Sequence, residues 1–191
     1  KVSELMNIPS DAVLVGSTGV IGMQLNMQAL LSGIEDMVPK LAHTPESGTL
    51  AAEAIMTTDT HSKQVAVEIE IDGKTVTIGG MSKGSGMIHP DMCTMLAYVA
   101  TDINMKKELL QKALSTDIQD TFNMISVDGD TSTNDTLLLM ANGMAGNTEI
   151  TAEDDNYRKF AEALHYVDET LAKMMAGDGE GATKLLEVKV I

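Results

Sequence analysis

The sequence predicts a mixed α/β fold, one body of strands and helices interrupted by glycine-rich loops. Three observations carry that expectation. Gln64 to Ile71 alternates apolar and polar residues and runs into Asp72-Gly73, a hairpin signal. Ala152 to Met175 places Tyr157, Phe160, Ala161, Leu164, Val167, Leu171 and Met174 on one helical face. Short apolar runs bounded by glycine or proline recur between them, as buried strands require.

Taken in order, Ala12 to Val15 lies between Pro9 and Gly16 and suits a buried strand. Met23 to Leu41 reads as a helix, with Leu25, Met27, Leu30, Leu31 and Ile34 near helical spacing, and Glu46 to Met56 as a second. Gln64 to Ile71 and Thr75 to Ile78 form the hairpin, and a glycine-rich stretch from Gly79 to Gly86 leads to Pro90. Thr94 to Thr101 reads as a buried strand, Asn104 to Thr121 as a helix and Phe122 to Val127 as a strand. Asp128 to Asn134 is a polar loop and Thr136 to Met140 another apolar run. Gly177 to Gly181 ends the long helix, and Lys184 to Ile191 closes as a strand.

The 191 residues suffice for one well-buried core, and no apolar run reaches the roughly 20 residues that cross a bilayer. The start, Lys1 to Met6, has no signal-peptide layout and reads like the tail of a helix, so the chain reads as part of a larger protein. A net charge of −15 repels phosphate backbones and anionic lipid, which argues against nucleic acid and membrane as partners. Cys93 is the single cysteine, so no internal disulfide is possible and a reducing, cytoplasmic setting fits. Fifteen methionines stand against three tyrosines and two phenylalanines, which suits a core filled by adaptable side chains.

Each glycine-rich or polar loop has some features of a site. Val13 to Gly22 has the strand, glycine turn and helix of a dinucleotide-binding unit, and alone it would suggest a nicotinamide-dependent oxidoreductase. The Tyr and Lys four apart of short-chain dehydrogenases are missing, since Tyr98, Tyr157 and Tyr166 are followed at that spacing by Asp102, Ala161 and Thr170. No second strand ending in an acid follows to grip a ribose. The same turn aims backbone N–H groups at one spot, which suits an oxyanion equally well. In Gly79 to Gly86, Lys83 precedes its glycine, the reverse of a P-loop, and Gly177 to Lys184 fails likewise. Asp128 to Asn134 would need glycine at its sixth place and glutamate at its twelfth to hold calcium; it has Thr133 and Leu139. His43, His61, His89 and His165 are scattered, so no metal site is expected.

Read together, the loops form an ordered series. Ser17 to Gly22, Ile55 to Thr60, Gly79 to Pro90, Asp91 to Leu96, Asp128 to Asp135 and Gly177 to Lys184 closely resemble, over essentially the whole chain, the ornithine acetyltransferases (glutamate N-acetyltransferases) of arginine biosynthesis. Members of that family are longer, and the chain resembles their middle part. The resemblance implies a threonine-nucleophile fold shared with related aminopeptidases and a proenzyme that cuts itself between Cys93 and Thr94. Residues 1–93 would end the α part and 94–191 begin the β part of one catalytic core segment.

The residue choice makes chemical sense. A threonine hydroxyl needs an adjacent base, and a new chain terminus at Thr94 supplies its own α-amine, with a pKa near ~7.7–8.0 in small peptides. The resemblance further implies that Thr94 takes acetyl from N-acetylornithine and passes it to glutamate in a ping-pong scheme. Thr18 and Gly19 would form the oxyanion hole, where each donor is worth ~3–4 kcal/mol of barrier. Thr57, Lys83 and Glu180 match substrate-contacting positions; by charge, Lys83 suits a carboxylate and Glu180 an α-amine or a proton transfer. No cofactor is implied, though acetyl-coenzyme A is conceivable as a co-substrate, and two cleaved α/β protomers would pair as a heterotetramer. An amidase or aminopeptidase on the same fold is the alternative, with water as acceptor. The chain departs from the family pattern at Cys93, usually alanine, and Asp91, usually asparagine. Cys93 is small and apolar, which suits the cut; Asp91 adds a charge beside it.

Overall fold

The computed structural model describes residues 1–89, 95–132 and 134–189. The chain divides into two compact units, Lys1–Ala51 and Ala52–Ile191.

The first unit holds α1 (Val2–Met6), α2 (Met27–Met37) and most of α3 (Pro45–Ala54). α2 starts four residues after the expected Met23, because Asn26 caps it by accepting from the Ala29 N–H at 3.1 Å. It ends at Met37 in a short 3₁₀ turn that carries Pro39. α3 matches the expected second helix to within two residues at each end. The strand expected at Ala12 to Val15 does not form. Ser10–Ala12 is a 3₁₀ turn, and Leu14 and Val15 are 59% and 81% exposed without a neighbouring strand to take up their N–H and C=O groups.

The second unit is built on a four-stranded sheet ordered β1 (Lys63–Ile71), β2 (Lys74–Lys83), β3 (Leu96–Thr101) and β4 (Thr136–Ala141). The first two pairings are antiparallel and β3 pairs β4 in parallel. The β1–β2 turn places Asp72 and Gly73 at φ of 52° and 70°, the left-handed geometry that a two-residue hairpin uses. α4 (Lys107–Asp117) lies in the crossover from β3 to β4. Its expected start at Asn104 fails because Asn104 is engaged elsewhere: its N–H donates to Asn147 Oδ1 at 2.9 Å, and Asn147 Nδ2 donates back to its carbonyl at 3.1 Å.

α5 (Asp155–Gly177) packs over β1 and β2 and against α4. Asp154 caps it by accepting from the Tyr157 N–H at 2.9 Å. Tyr157, Phe160, Leu164, Val167 and Leu171 are buried as expected; Met175 is buried where Ala161 and Met174 stand only half-buried. With Ile71, Val76, Ile78, Val99, Ile103 and Phe122 they make one apolar core.

Three further expectations are corrected. The stretch from Gly79 begins as strand, not loop: Gly79 to Lys83 belong to β2, Gly79 to Ser82 pairing with both β1 and β3 and Lys83 with β3 alone. Gly80 is there for packing, since a Cβ at that position would sit 2.9 Å from Leu171 Cδ1 and 3.0 Å from Val167 Cγ1 on α5. Phe122 to Val127 is not a strand but a 3₁₀ turn at Phe122–Met124 followed by extended chain; Phe122 is sunk in the core and the Thr121 hydroxyl donates to the Asp117 carbonyl at 2.9 Å. Lys184 to Lys189 joins no sheet, and Leu186 is 85% exposed; Val190 and Ile191 lie outside the described residues. Among the described residues, no helix is long and apolar enough to cross a membrane.

Candidate active site

The strand order carries chemistry to one end of the sheet in the second unit. β2 ends at Lys83, which lies opposite Leu96 in the β2–β3 register, two residues beyond Thr94 in sequence. Beside it run the segment 55–62, which leads from α3 into β1, and the segment 178–181, which leaves α5. These carry Lys83, Thr57 and Glu180, the expected substrate contacts.

A buried ion cluster ties the segments. Lys63, the first residue of β1, is fully buried, and its ammonium donates to Asp59 Oδ1 at 2.7 Å and to Asp178 Oδ2 at 2.6 Å. Asp59 also accepts from the N–H of Gly84 at 2.8 Å and of Thr57 at 3.1 Å. Asp178 accepts from the Thr60 N–H at 3.0 Å and from the Thr60 hydroxyl. Burial pushes both carboxyls up, but Lys63 and the N–H donors outweigh it: Asp59 is held below the ordinary carboxylate range and Asp178 is brought down to about 2.

The 178–181 segment is pinned a second time. The Glu180 N–H donates to the Ser85 carbonyl at 2.6 Å, and the Ser85 hydroxyl bonds that of Thr58. A Cβ on Gly86 would sit 3.0 Å from Glu180 Oε2, so glycine at this position leaves room for that carboxylate. Lys83 is 4% exposed, and its ammonium makes no hydrogen bond among the described residues. Burial lowers its pKa, Asp59 draws it back up and Lys63 lowers it further. Such a lysine is poised for an anion that arrives from outside.

Cys93 and Thr94, the expected cleavage pair, and Asp91 lie outside the described residues. The chain on either side is anchored. Upstream, the N–H groups of Met87 and Ile88 donate to Asp128 at 2.6 and 2.9 Å, and the Val127 N–H donates to the Ile88 carbonyl at 2.7 Å. Downstream, buried Met95 donates its N–H to Asp135 Oδ1 at 2.9 Å and accepts from the Thr136 N–H at 3.1 Å. Thr18 and Gly19 belong to the first unit, in the irregular stretch before α2, where Thr18 is half-buried and Gly19 exposed. That stretch is not preceded by a strand, so the dinucleotide-binding reading loses its βα unit. Among the described residues, no three His, Cys, Asp or Glu side chains are placed to hold a metal ion.

Sequence reasoning missed Asp59, Lys63, Asp178, Asp128 and Asp135 as organising residues. Four of the five stood inside the ordered motifs. Asp128 is a loop anchor that accepts three backbone N–H groups, those of Met87, Ile88 and Asp130.

A mixed α/β body that gathers a buried lysine at a strand end with a threonine and a glutamate on adjoining segments has the makings of a site for a small charged metabolite. The chain matches the ArgJ family over residues 1–191, and it belongs to that family. It is 50% identical over its whole length to the "Arginine biosynthesis bifunctional protein ArgJ" of Thermotoga neapolitana, of which it covers 47%. It is 53% identical, again over its whole length, to the protein of the same name from Caldanaerobacter subterraneus, also covering 47%. A crystal structure of the Bacillus halodurans arginine biosynthesis bifunctional protein ArgJ is 50% identical over 46% of this chain and 41% of that one, with a TM-score of 0.44. The chain thus spans about half the length of the curated relatives it matches.

Proposed function

We propose that this chain supplies the core of an acetyltransferase that moves acetyl from N-acetylornithine to glutamate, after cutting itself between Cys93 and Thr94. The Thr94 hydroxyl attacks the Cys93 carbonyl, and the peptide nitrogen is released as the Thr94 α-amine while an ester forms. Water opens the ester, leaving a carboxylate on Cys93. The free α-amine then takes the hydroxyl proton as the Thr94 oxygen attacks the acetyl carbonyl, so nucleophile and base share one residue. Thr18 and Gly19 donate to the oxyanion. Collapse expels ornithine, its amine taking up the proton, and leaves acetyl-Thr94. Glutamate's amine attacks that ester, and N-acetylglutamate leaves with the hydroxyl restored.

Lys83 holds a substrate carboxylate, Thr57 hydrogen-bonds the substrate, and Glu180 faces an amine or relays its proton. Acetyl-coenzyme A, as a second donor, could load the same intermediate, in keeping with the relatives' description as bifunctional. The reading extends to a cytoplasmic setting and to a pair of cleaved α/β protomers.

The observation that carries this reading is the gathering of three positions distant in sequence, 57, 83 and 180, around one buried ion cluster in a chain of the ArgJ family. The test is Thr94→Ala in the full protein. Gel electrophoresis should then show one uncut chain, and acetyl transfer should fall to background. A Thr94→Ala protein that still transfers acetyl defeats the proposal.

A further inference from the structure

We infer that Lys63, with Asp59 and Asp178, is the positioning group of the acetyl-transfer site: its buried ammonium holds the segments bearing Thr57, Lys83 and Glu180 in one arrangement. The inference rests on the reading of those three residues as substrate contacts.

An ammonium has three N–H donors. Those of Lys63 are matched by Asp59 Oδ1 at 2.7 Å, Asp178 Oδ2 at 2.6 Å and the His61 carbonyl at 3.5 Å. Nothing is left over for substrate, and the side chain is fully buried. Lys63 therefore acts through other residues. Asp59 passes its position to the N–H groups of Thr57 and Gly84, the latter next to Lys83. Asp178 passes it to Thr60, and two residues on the chain carries Glu180. A buried ion cluster of this kind is no more stabilising than a well-packed apolar one. Apolar side chains could fill the volume, but they could not hold these backbone amides.

The cluster also reaches Lys83 by charge. Asp59 attracts its ammonium and Lys63 repels it. Asp178 pairs with Lys63 and lies beside His61, and Glu180 with Asp128 lies at Gly86. Removing Asp59 and removing Lys63 must therefore move Lys83 in opposite directions, a signature that general loosening of the fold does not produce.

The test uses the full protein labelled with ¹³C at lysine Cε, with Lys83→Arg to assign the signal. Lys83 should titrate lower in Asp59→Asn, as loss of an opposite charge predicts, and higher in Lys63→Met. Should Lys63→Met not fold, Asp178→Asn, which leaves Lys63 less compensated, should also lower it. Amide exchange at 57, 60 and 84 should quicken by about tenfold in the variant that neutralises each amide's carboxylate acceptor, with core amides of α5 and β3 unchanged. The KM for N-acetylornithine should rise more than kcat falls in Asp178→Asn, with Asp178→Glu partly restoring it. Lys83 titrating alike in every variant, or exchange quickening equally in the core, overturns the inference. These NMR and exchange readings need no acetyl transfer, so a protein inactive in the assay defeats the proposed function while still deciding this one.

Discussion

Residues 1–51 contain no buried side chain, whereas residues 52–191 contain the whole apolar core. Both regions carry apolar residues at helical spacing. In α2, Leu30 and Leu31 follow the pattern yet stand 44% and 41% exposed; in α5, Phe160 and Leu164 follow it and are fully buried. The pattern sets where a helix forms, but burial requires a second layer to cover the apolar stripe. α5 has β1, β2 and α4 for that purpose. Of the positions the sequence singles out, Thr18 and Gly19 fall in the coreless region and Thr57, Lys83 and Glu180 in the cored one.

The contrast can be broken or sharpened by substitution. The largest effect belongs to the core: Phe160→Ala should destabilise the second unit by about 3–5 kcal/mol, measured by denaturant unfolding. A loss below about 1 kcal/mol would mean that α5 is not the cover of the sheet.

Next come two buried aspartates in the cored region whose surroundings oppose each other. Asp178, paired with Lys63 and brought down to about 2, binds its proton less readily folded than unfolded. Its contribution is present above the ordinary carboxylate value and fades as pH falls from about 4 to about 2, a total near 2 kcal/mol. Asp178→Asn should flatten that part of the acid-unfolding curve. Asp168, on α5, is fully buried; burial first, and then Asp117 beside it, push its carboxyl well above the usual range. The folded protein then holds a proton that the unfolded chain releases, so stability declines as pH rises above about 4. Asp168→Asn should therefore raise the melting temperature at pH 8, by the equivalent of about 1 kcal/mol, and little at pH 4. A variant less stable at both pH values would show that the carboxyl is charged and paired.

The smallest effect is expected in the first region. Leu30→Ala removes an exposed side chain from a helix that tolerates alanine and should change stability by less than about 0.5 kcal/mol.

What the sequence disclosed follows the same division. The hairpin of β1 and β2 and the helix α5 are legible because their signals are local: alternation, Asp72-Gly73, and a helical stripe closed by Gly177. Ala12 to Val15, Phe122 to Val127 and Lys184 to Ile191 were read as strands from apolar content alone, and apolar content cannot say whether a neighbour will offer its edge. Gly79 to Lys83 erred the other way: glycine suggests a loop, but α5 crosses so close to Gly80 that the strand needs a residue without a side chain. At the site, the motif order marked Thr57, Lys83 and Glu180. It did not mark Lys63, because a lysine opening an alternating strand reads as solvated, and only the sheet shows it closed in between Asp59 and Asp178.

The central claim is that Thr94 carries the acetyl group. The most direct measurement is mass spectrometry of the full protein, quenched after brief exposure to N-acetylornithine without glutamate. The account expects a fragment beginning at Thr94 that bears one acetyl group on that residue and loses it when glutamate is added. A protein that transfers acetyl at full rate while remaining joined between Cys93 and Thr94, or with Thr94 never acetylated, would contradict it.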